Sequence, residues 1–255
     1  MPVTIYAHRG APAECPENTM VSFRRALELG VDALELDVHA TRDGAIVISH
    51  DPDAQRMAGV AARWCELDLA EAQRLDLGHG YLAADGSRPF LGRHIGIPTF
   101  EELLVECPGV RLNVDLKQDT PSIVEPVLAL LRRLRAEERV TLASFRARTM
   151  LEVRRRGYPG ATALSQPEVA ALLAAPKAVW RRLPWRGTAV QVPVAVGRVR
   201  LDRAAFIDKC HALGLRVDFW TIDDPAQARE LIARGADGIM TDDPARMVRA
   251  LRGGA

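Results

Sequence analysis

The sequence is short of lysine, of paired cysteine and of net charge, and each shortage removes a class of function. Only three of its 34 basic residues are lysine (Lys117, Lys177 and Lys209), and 33 Asp and Glu bring the formal charge to +1. A balance so near neutrality offers no electrostatic footprint for nucleic acid, which needs a basic face or stripe. No nucleic-acid partner is expected. The four cysteines, Cys15, Cys65, Cys107 and Cys210, form no C-x-x-C pair, so the common zinc and dithiol motifs are excluded and free thiols in a reducing compartment are expected. No apolar run approaches the roughly 18 residues of a membrane span. Met1 to Ala7 carry neither the basic nor the long apolar region of a secretory leader, so the expected location is cytoplasmic. No G-x-G-x-x-G follows the first strand-like run, which counts against a dinucleotide fold.

What is present is a repeating alternation. Of the 255 residues, 48% are hydrophobic, enough for a folded core. Strand-like runs at Val3–Ala7, Ala33–Val38, Val110–Leu116, Val140–Ser144, Ala161–Leu164, Ala189–Val192, Leu215–Trp220 and Gly238–Met240 are each followed by a helical pattern. Helix starts are marked by Asn18 or Thr19, by the Thr99-to-Glu102 capping box, by Gln166-Pro167, and by Asp224-Pro225 and Asp243-Pro244, with another near Leu201. Eight strand–helix units in this length predict an α/β fold, a (β/α)8 TIM barrel forming a single domain over residues 1–255. Between Ile48 and Pro98 the rhythm breaks, with one helical stretch near Asp68–Leu75. A connection this long in a compact barrel is usually functional, so 52–96 is expected to be a small insertion over the barrel mouth and part of the substrate site.

In a barrel of this kind the reacting groups stand at the C-terminal ends of the strands. His8 and Arg9 end the first strand. Glu35 and Asp37 end the second at i, i+2, on one face. His50 and Asp51 follow a short extra strand, Ala45–Ile48, and Asp115 and Lys117 end the next strand, again at i, i+2. Buried like charges cost several kcal/mol unless compensated, and an all-oxygen ligand set suits a hard divalent cation, Mg2+ or Ca2+, better than zinc. Arg9 and Lys117 then read as anchors for an anionic group such as phosphate. The two histidines can act as general acid and general base near neutral pH. Together these features suggest phosphodiester cleavage.

The same residues resemble the glycerophosphodiester phosphodiesterase family. The ordered signals are His8-Arg9-Gly10, Pro16-Glu17-Asn18-Thr19, Glu35-Leu36-Asp37-Val38 and His50-Asp51. Near the C-terminus come Phe219-Trp220-Thr221-Ile222-Asp223, Gly235-Ala236-Asp237-Gly238-Ile239 and Thr241-Asp242-Asp243-Pro244, with Ile97-Pro98-Thr99 and Ser144-Phe145 between. The resemblance spans nearly the whole chain. It implies a TIM barrel with a small insertion after the second strand, and Ca2+- or Mg2+-dependent hydrolysis of small glycerophosphodiesters to glycerol 3-phosphate and an alcohol. It further implies Glu35, Asp37 and Asp115 as metal ligands, His8 and His50 as the acid–base pair, and Arg9 and Lys117 as phosphate holders. The attacking group would be the substrate's own neighbouring hydroxyl, through a cyclic phosphate, so no Ser or Cys nucleophile is needed. Glu17 and Asn18 take supporting roles, and Trp220 is a candidate wall for the glycerol group.

Two positions depart from the family pattern. Asp115 stands where Glu is usual, one methylene shorter, and Arg56-Met57-Ala58-Gly59 replaces Arg-Thr-Thr-x-Gly. Two other readings follow: a lysophospholipase D, if the insertion forms an apolar channel, or a weakly catalytic phosphate-ester-binding barrel.

Overall fold

In the computed structural model, which describes residues 3–175 and 186–253, seven strands form one curled parallel sheet. They are β1 (Thr4–His8), β2 (Ala33–Ala40), β4 (Arg111–Leu116), β5 (Val140–Ala143), β6 (Ala189–Val192), β9 (Arg216–Phe219) and β10 (Gly238–Thr241). Their order is β5-β4-β2-β1-β10-β9-β6, with the first and last strands of the chain side by side. The predicted strand Ala161–Leu164 shrinks to two isolated parallel bridges, Leu142 with Thr162 and Ala163 with Ala189. It still closes the ring. Ala163 N–H donates to Leu142 O (2.9 Å) and Leu164 N–H to Ala189 O (2.8 Å), so eight parallel segments make a (β/α)8 barrel.

The outer helices are α1 (Met20–Glu28), α4 (Phe100–Glu106), α5 (Val124–Leu134), α6 (Ala147–Arg155), α7 (Gln166–Ala174), α8 (Ala204–His211), α9 (Pro225–Ala233) and α10 (Pro244–Arg252). Local chemistry sets their starts. Thr19 accepts from Ser22 N–H, Thr99 and Glu102 form the reciprocal capping box, and Asp224 and Asp243 cap helices that begin with proline. The helix expected near Leu201 starts later, at Ala204, because a hairpin, β7 (Ala195–Val196) with β8 (Val199–Arg200), occupies the intervening chain.

All eight residues of β2 are buried, and the strand alternates by chemistry. Leu34, Leu36, Val38 and Ala40 join Phe23, Phe100 and Val127 in a core between sheet and helices. Glu35, Asp37 and His39 occupy the alternate positions, on the opposite face. A second core, built around Phe219, Ile239, Leu231 and Met247, fills the other half of the shell.

The segment 52–96 departs from expectation. Besides α3 (Leu69–Ala72) it contains α2 (Gln55–Ala58) and two short 3-10 turns. The strand before it, β3 (Ile46–Ile48), folds back antiparallel on β2. Trp64, Met57 and Leu77 then pack on Val47 and Ile97 in a small core of their own. Arg56 and Tyr81 reach back to Glu17 and Ala13, but no residue of 52–96 lines the central cavity. The four cysteines are unpaired, and no described helix is long and apolar enough to cross a membrane.

Candidate active site

Strand register converts scattered sequence positions into a cluster. His8 lies beside Glu35, Glu35 beside Asn113, and Asp37 beside Asp115. These residues, with Arg9, His50, Lys117 and Trp220, line one cavity of about 450 Å3 at the C-terminal mouth of the barrel. Arg9 and Asn18 both adopt left-handed backbone conformations (φ 57° and 54°), which turns the chain sharply out of β1 and into α1. Gly10 between them has φ 92°, and a Cβ there would stand 2.8 Å from the backbone carbonyl carbon of Ser22. Only glycine fits this turn.

The charges are crowded. Lys117 Nζ lies 2.9 Å from Asp37 Oδ1 and 2.7 Å from Asp115 Oδ2. Arg9 Nε stands 3.3 Å from Asp37 Oδ2, and Arg9 Nη1 donates to Glu17 Oε1 at 3.1 Å. Asn18 Nδ2 donates to Asp37 Oδ2 at 3.0 Å. Asp37 is almost fully buried, which disfavours its charge, yet Lys117 and Arg9 hold it below the usual carboxylate range. Glu35 has less help. Burial, followed by repulsion from Asp37, pushes it up to about 8, and burial likewise raises Asp115.

Each candidate histidine is held by a carboxylate. His8 Nδ1 lies 2.6 Å from Asp242 Oδ1, and its Nε2 points toward Glu35 Oε2 at 3.8 Å. Burial works against the imidazolium, but Glu35 and Asp242 outweigh it and leave His8 above its ordinary pKa. His50 Nδ1 lies 2.8 Å from Asp51 Oδ1. Arg56 then donates to Asp51 Oδ2 (2.6 Å) and to both oxygens of Glu17 (2.9 and 2.7 Å). Glu17 and Asn18 therefore stand behind the cavity wall, bonded to groups that line it.

The donor set suits a hard cation. Its charged ligands are all oxygen, and Asp115 Oδ1 is buried without a hydrogen-bond partner. As arranged, Lys117 spans Asp37 and Asp115, and no three His, Cys, Asp or Glu side chains among the described residues are gathered at ion-holding distance.

This cluster has known counterparts. Residues 8–246 match the Glycerophosphoryl diester phosphodiesterase family. The chain belongs to that family. A Mycobacterium tuberculosis protein assigned as a glycerophosphodiester phosphodiesterase is 33% identical over 243 residues, 92% of this chain and 86% of that one. The glycerophosphodiester phosphodiesterase of Caldanaerobacter subterraneus subsp. tengcongensis is 28% identical over the full length of both chains. A crystal structure from Silicibacter pomeroyi, assigned to the same family activity, superposes with a TM-score of 0.80 at 31% identity, covering 98% of this chain and 93% of that one.

Three residues of the cluster escaped the motif-based reading as site residues: Asp242, Arg56 and Asn113. Asp242 follows β10 directly, so the rule that chemistry sits at strand ends would have found it once β10 was placed beside β1. Arg56 is the retained Arg of the Arg-Thr-Thr-x-Gly pattern, a signal that attention to the altered positions after it passed over.

Proposed function

We propose that this chain hydrolyses glycerophosphodiesters to glycerol 3-phosphate and an alcohol, using Glu35, Asp37 and Asp115 to hold Ca2+ or Mg2+. The observation that carries the reading is one cavity holding three buried carboxylates, one with an unpartnered oxygen, between two carboxylate-held imidazoles and two cations. Family membership supports the same reaction. A bound divalent cation would supply Lewis-acid polarisation of the phosphoryl oxygens.

The chain's own groups do the rest. Arg9 and Lys117 bind the phosphate oxygens and position the phosphorus. Asp242 and Asp51 accept from Nδ1 of their histidines, so each ring turns Nε2 to the substrate; one ring enters as the neutral imidazole with Nε2 free to accept, the other as the imidazolium with a proton on Nε2 to give. One imidazole takes the proton of the substrate's neighbouring hydroxyl as it attacks phosphorus. The other protonates the departing alkoxide. A cyclic phosphate results, and water opens it by the reverse use of the pair. Trp220 forms the wall against the glycerol carbons. The four unpaired cysteines favour a reducing, cytoplasmic setting.

The test is release of glycerol 3-phosphate from glycerophosphocholine and glycerophosphoethanolamine in EDTA, then after separate addition of Mg2+ or Ca2+. Product only with cation supports the reading and identifies a usable ion. Tight binding of the diester without turnover under any cation would replace it with a phosphate-ester-binding barrel.

A further inference from the structure

Arg56 sits outside the cavity, yet it is bonded to the supports of two groups inside it. It belongs to α2, a single turn of the 52–96 segment, whose Met57 is buried with Trp64 in that segment's own core. Trp64 Nε1 donates to Asp51 O at 2.9 Å, and Ala54 N–H donates to Ala62 O at 2.9 Å, so the turn is fastened to the chain on either side of it. The guanidinium then meets two carboxylates at once. Nε donates to Asp51 Oδ2 at 2.6 Å, while Nη1 and Nη2 make a two-pronged pair with Glu17 Oε2 and Oε1 at 2.9 and 2.7 Å.

Each of these carboxylates has a second partner in the cavity wall. Asp51 Oδ1 holds His50 Nδ1 at 2.8 Å, and Glu17 Oε1 accepts from Arg9 Nη1 at 3.1 Å. Partial burial works against the charge on Asp51, but His50 and Arg56 hold it below the usual carboxylate range. Among the described residues, only Arg56 bonds to both Asp51 and Glu17. A line of polar contacts therefore runs from His50 through Asp51, Arg56 and Glu17 to Arg9. Strand register cannot do this work. It sets His8 beside Glu35 and Asp37 beside Asp115, but His50 follows β3, which lies antiparallel on β2 and off the ring of parallel strands. β2 anchors that chain as far as Ser49, whose N–H donates to Asp37 O at 2.9 Å, and beyond it the imidazole is held through Asp51.

We propose that Arg56 is a positioning residue for the diester reaction: by bridging Asp51 and Glu17 it sets the distance between Nε2 of His50 and the phosphate-binding guanidinium of Arg9. The inference rests on the phosphodiesterase reading and goes beyond it, because it gives the 52–96 segment a share in turnover although none of that segment lines the cavity. A proton passed between an imidazole and an oxygen on phosphorus needs the two within hydrogen-bond reach, and misplacement by about 1 Å costs on the order of 100-fold. Arginine suits the task and lysine does not. The planar fork holds two carboxylates in fixed directions, whereas an ammonium is a point charge on a flexible stem.

The test compares Arg56→Lys and Arg56→Ala with the parent on glycerophosphocholine at saturating cation. Arg56→Lys keeps the charge and most of the stem, so its Tm should stay near the parent's. Its kcat/KM should still fall about 10- to 100-fold, with kcat lowered and KM raised together, because one support leads to an imidazole and the other to the phosphate anchor. Asp51→Asn should act mainly on kcat and Glu17→Gln mainly on KM, and in the Arg56→Ala background each should cost far less than in the parent. Millimolar ethylguanidinium can enter the half-exposed space vacated in Arg56→Ala and should recover part of kcat/KM, whereas ethylammonium should not. Parent kinetics in Arg56→Lys would overturn this inference alone. So would a loss that follows Tm across the variants, adds to those of Asp51→Asn and Glu17→Gln, and ignores ethylguanidinium, which is the mark of a contact that merely holds the fold. A parent that turns over no diester under any cation would overturn the underlying reading as well.

Discussion

Asp242 reaches His8 from 234 residues away in sequence, and the 2.6 Å contact fixes which imidazole nitrogen faces the cavity. Replacing Asp242 by Asn preserves shape and removes the charge that favours the Nδ1–H form. kcat for glycerophosphocholine should fall by about 10- to 1000-fold with KM little changed, as steady-state kinetics would show. An unchanged kcat would remove Asp242 from any positioning role. Asp115 presents the opposite balance of stability and function. Burial raises its pKa, so its charge is carried at a cost to folding. Asp115→Asn should therefore melt at the same temperature or higher, while cation-dependent turnover falls at least about 100-fold. A large loss of Tm would mean the ion pair with Lys117 outweighs that penalty.

At the scale of elements, α7 forms one wall of the cavity, and its start depends on one carboxylate. Glu168 accepts from Ser165 N–H (2.8 Å) and Oγ (2.6 Å) and pairs with Arg154, which also donates to Ala163 O in the reduced eighth strand. Burial disfavours the charged Glu168, but Arg154 and Ser165 more than compensate, so its pKa lies below the ordinary 4.5. A depressed folded-state pKa stabilises above the unfolded value and is lost as pH falls through the folded one. Glu168→Gln should therefore cost about 1–2 kcal/mol at pH 7, and the gap from the parent should narrow in melts as the pH is taken below the ordinary 4.5. A gap independent of pH would show that the loss is one of packing alone.

Helix starts were legible because capping is local: Thr19, Thr99, Asp224 and Asp243 act within three residues of themselves. The strand at Thr162–Ala163 was harder to delimit because its length depends on neighbours remote in sequence. The segment 52–96 was expected to form part of the substrate site, yet it supports the cavity from behind through Arg56 and Tyr81 and lines none of it. Its glycines and aromatics indicated a compact insertion, but that its large side chains turn into a core of their own with Val47 and Ile97 depends on the back-folding of β3.

For the whole molecule, gathering His8, Arg9, Glu35, Asp37, His50, Asp115 and Lys117 into one cavity follows from closing a parallel ring, and the motif residues were readable because strand ends are readable. What no local signal carries was not: the contact of Asp242 with His8, the reach of Arg56 to Glu17, and the apolar side of the cavity beyond Trp220. Lys117 and Arg9 compensate Asp37, but burial still raises Glu35 and Asp115, so an ion that binds the three carboxylates should stabilise the entire barrel. Saturating Ca2+ or Mg2+ at about 100 times its Kd should add roughly 2.7 kcal/mol, a rise in Tm of about 5–10 °C over EDTA. The Glu35→Gln protein should lose that response, and a wild-type Tm indifferent to both ions would argue against a resident cation.

The adjacency of the first and last strands also has a bearing on the life of the chain before it is complete. During synthesis, β1, β2 and β4 can emerge and pair with both cations and all three acids already aboard, while the residue that orients His8 has not yet been made. The cluster is therefore finished only when the last strand docks beside the first and brings Asp242 to His8, so completion of the chain and completion of the site are one event.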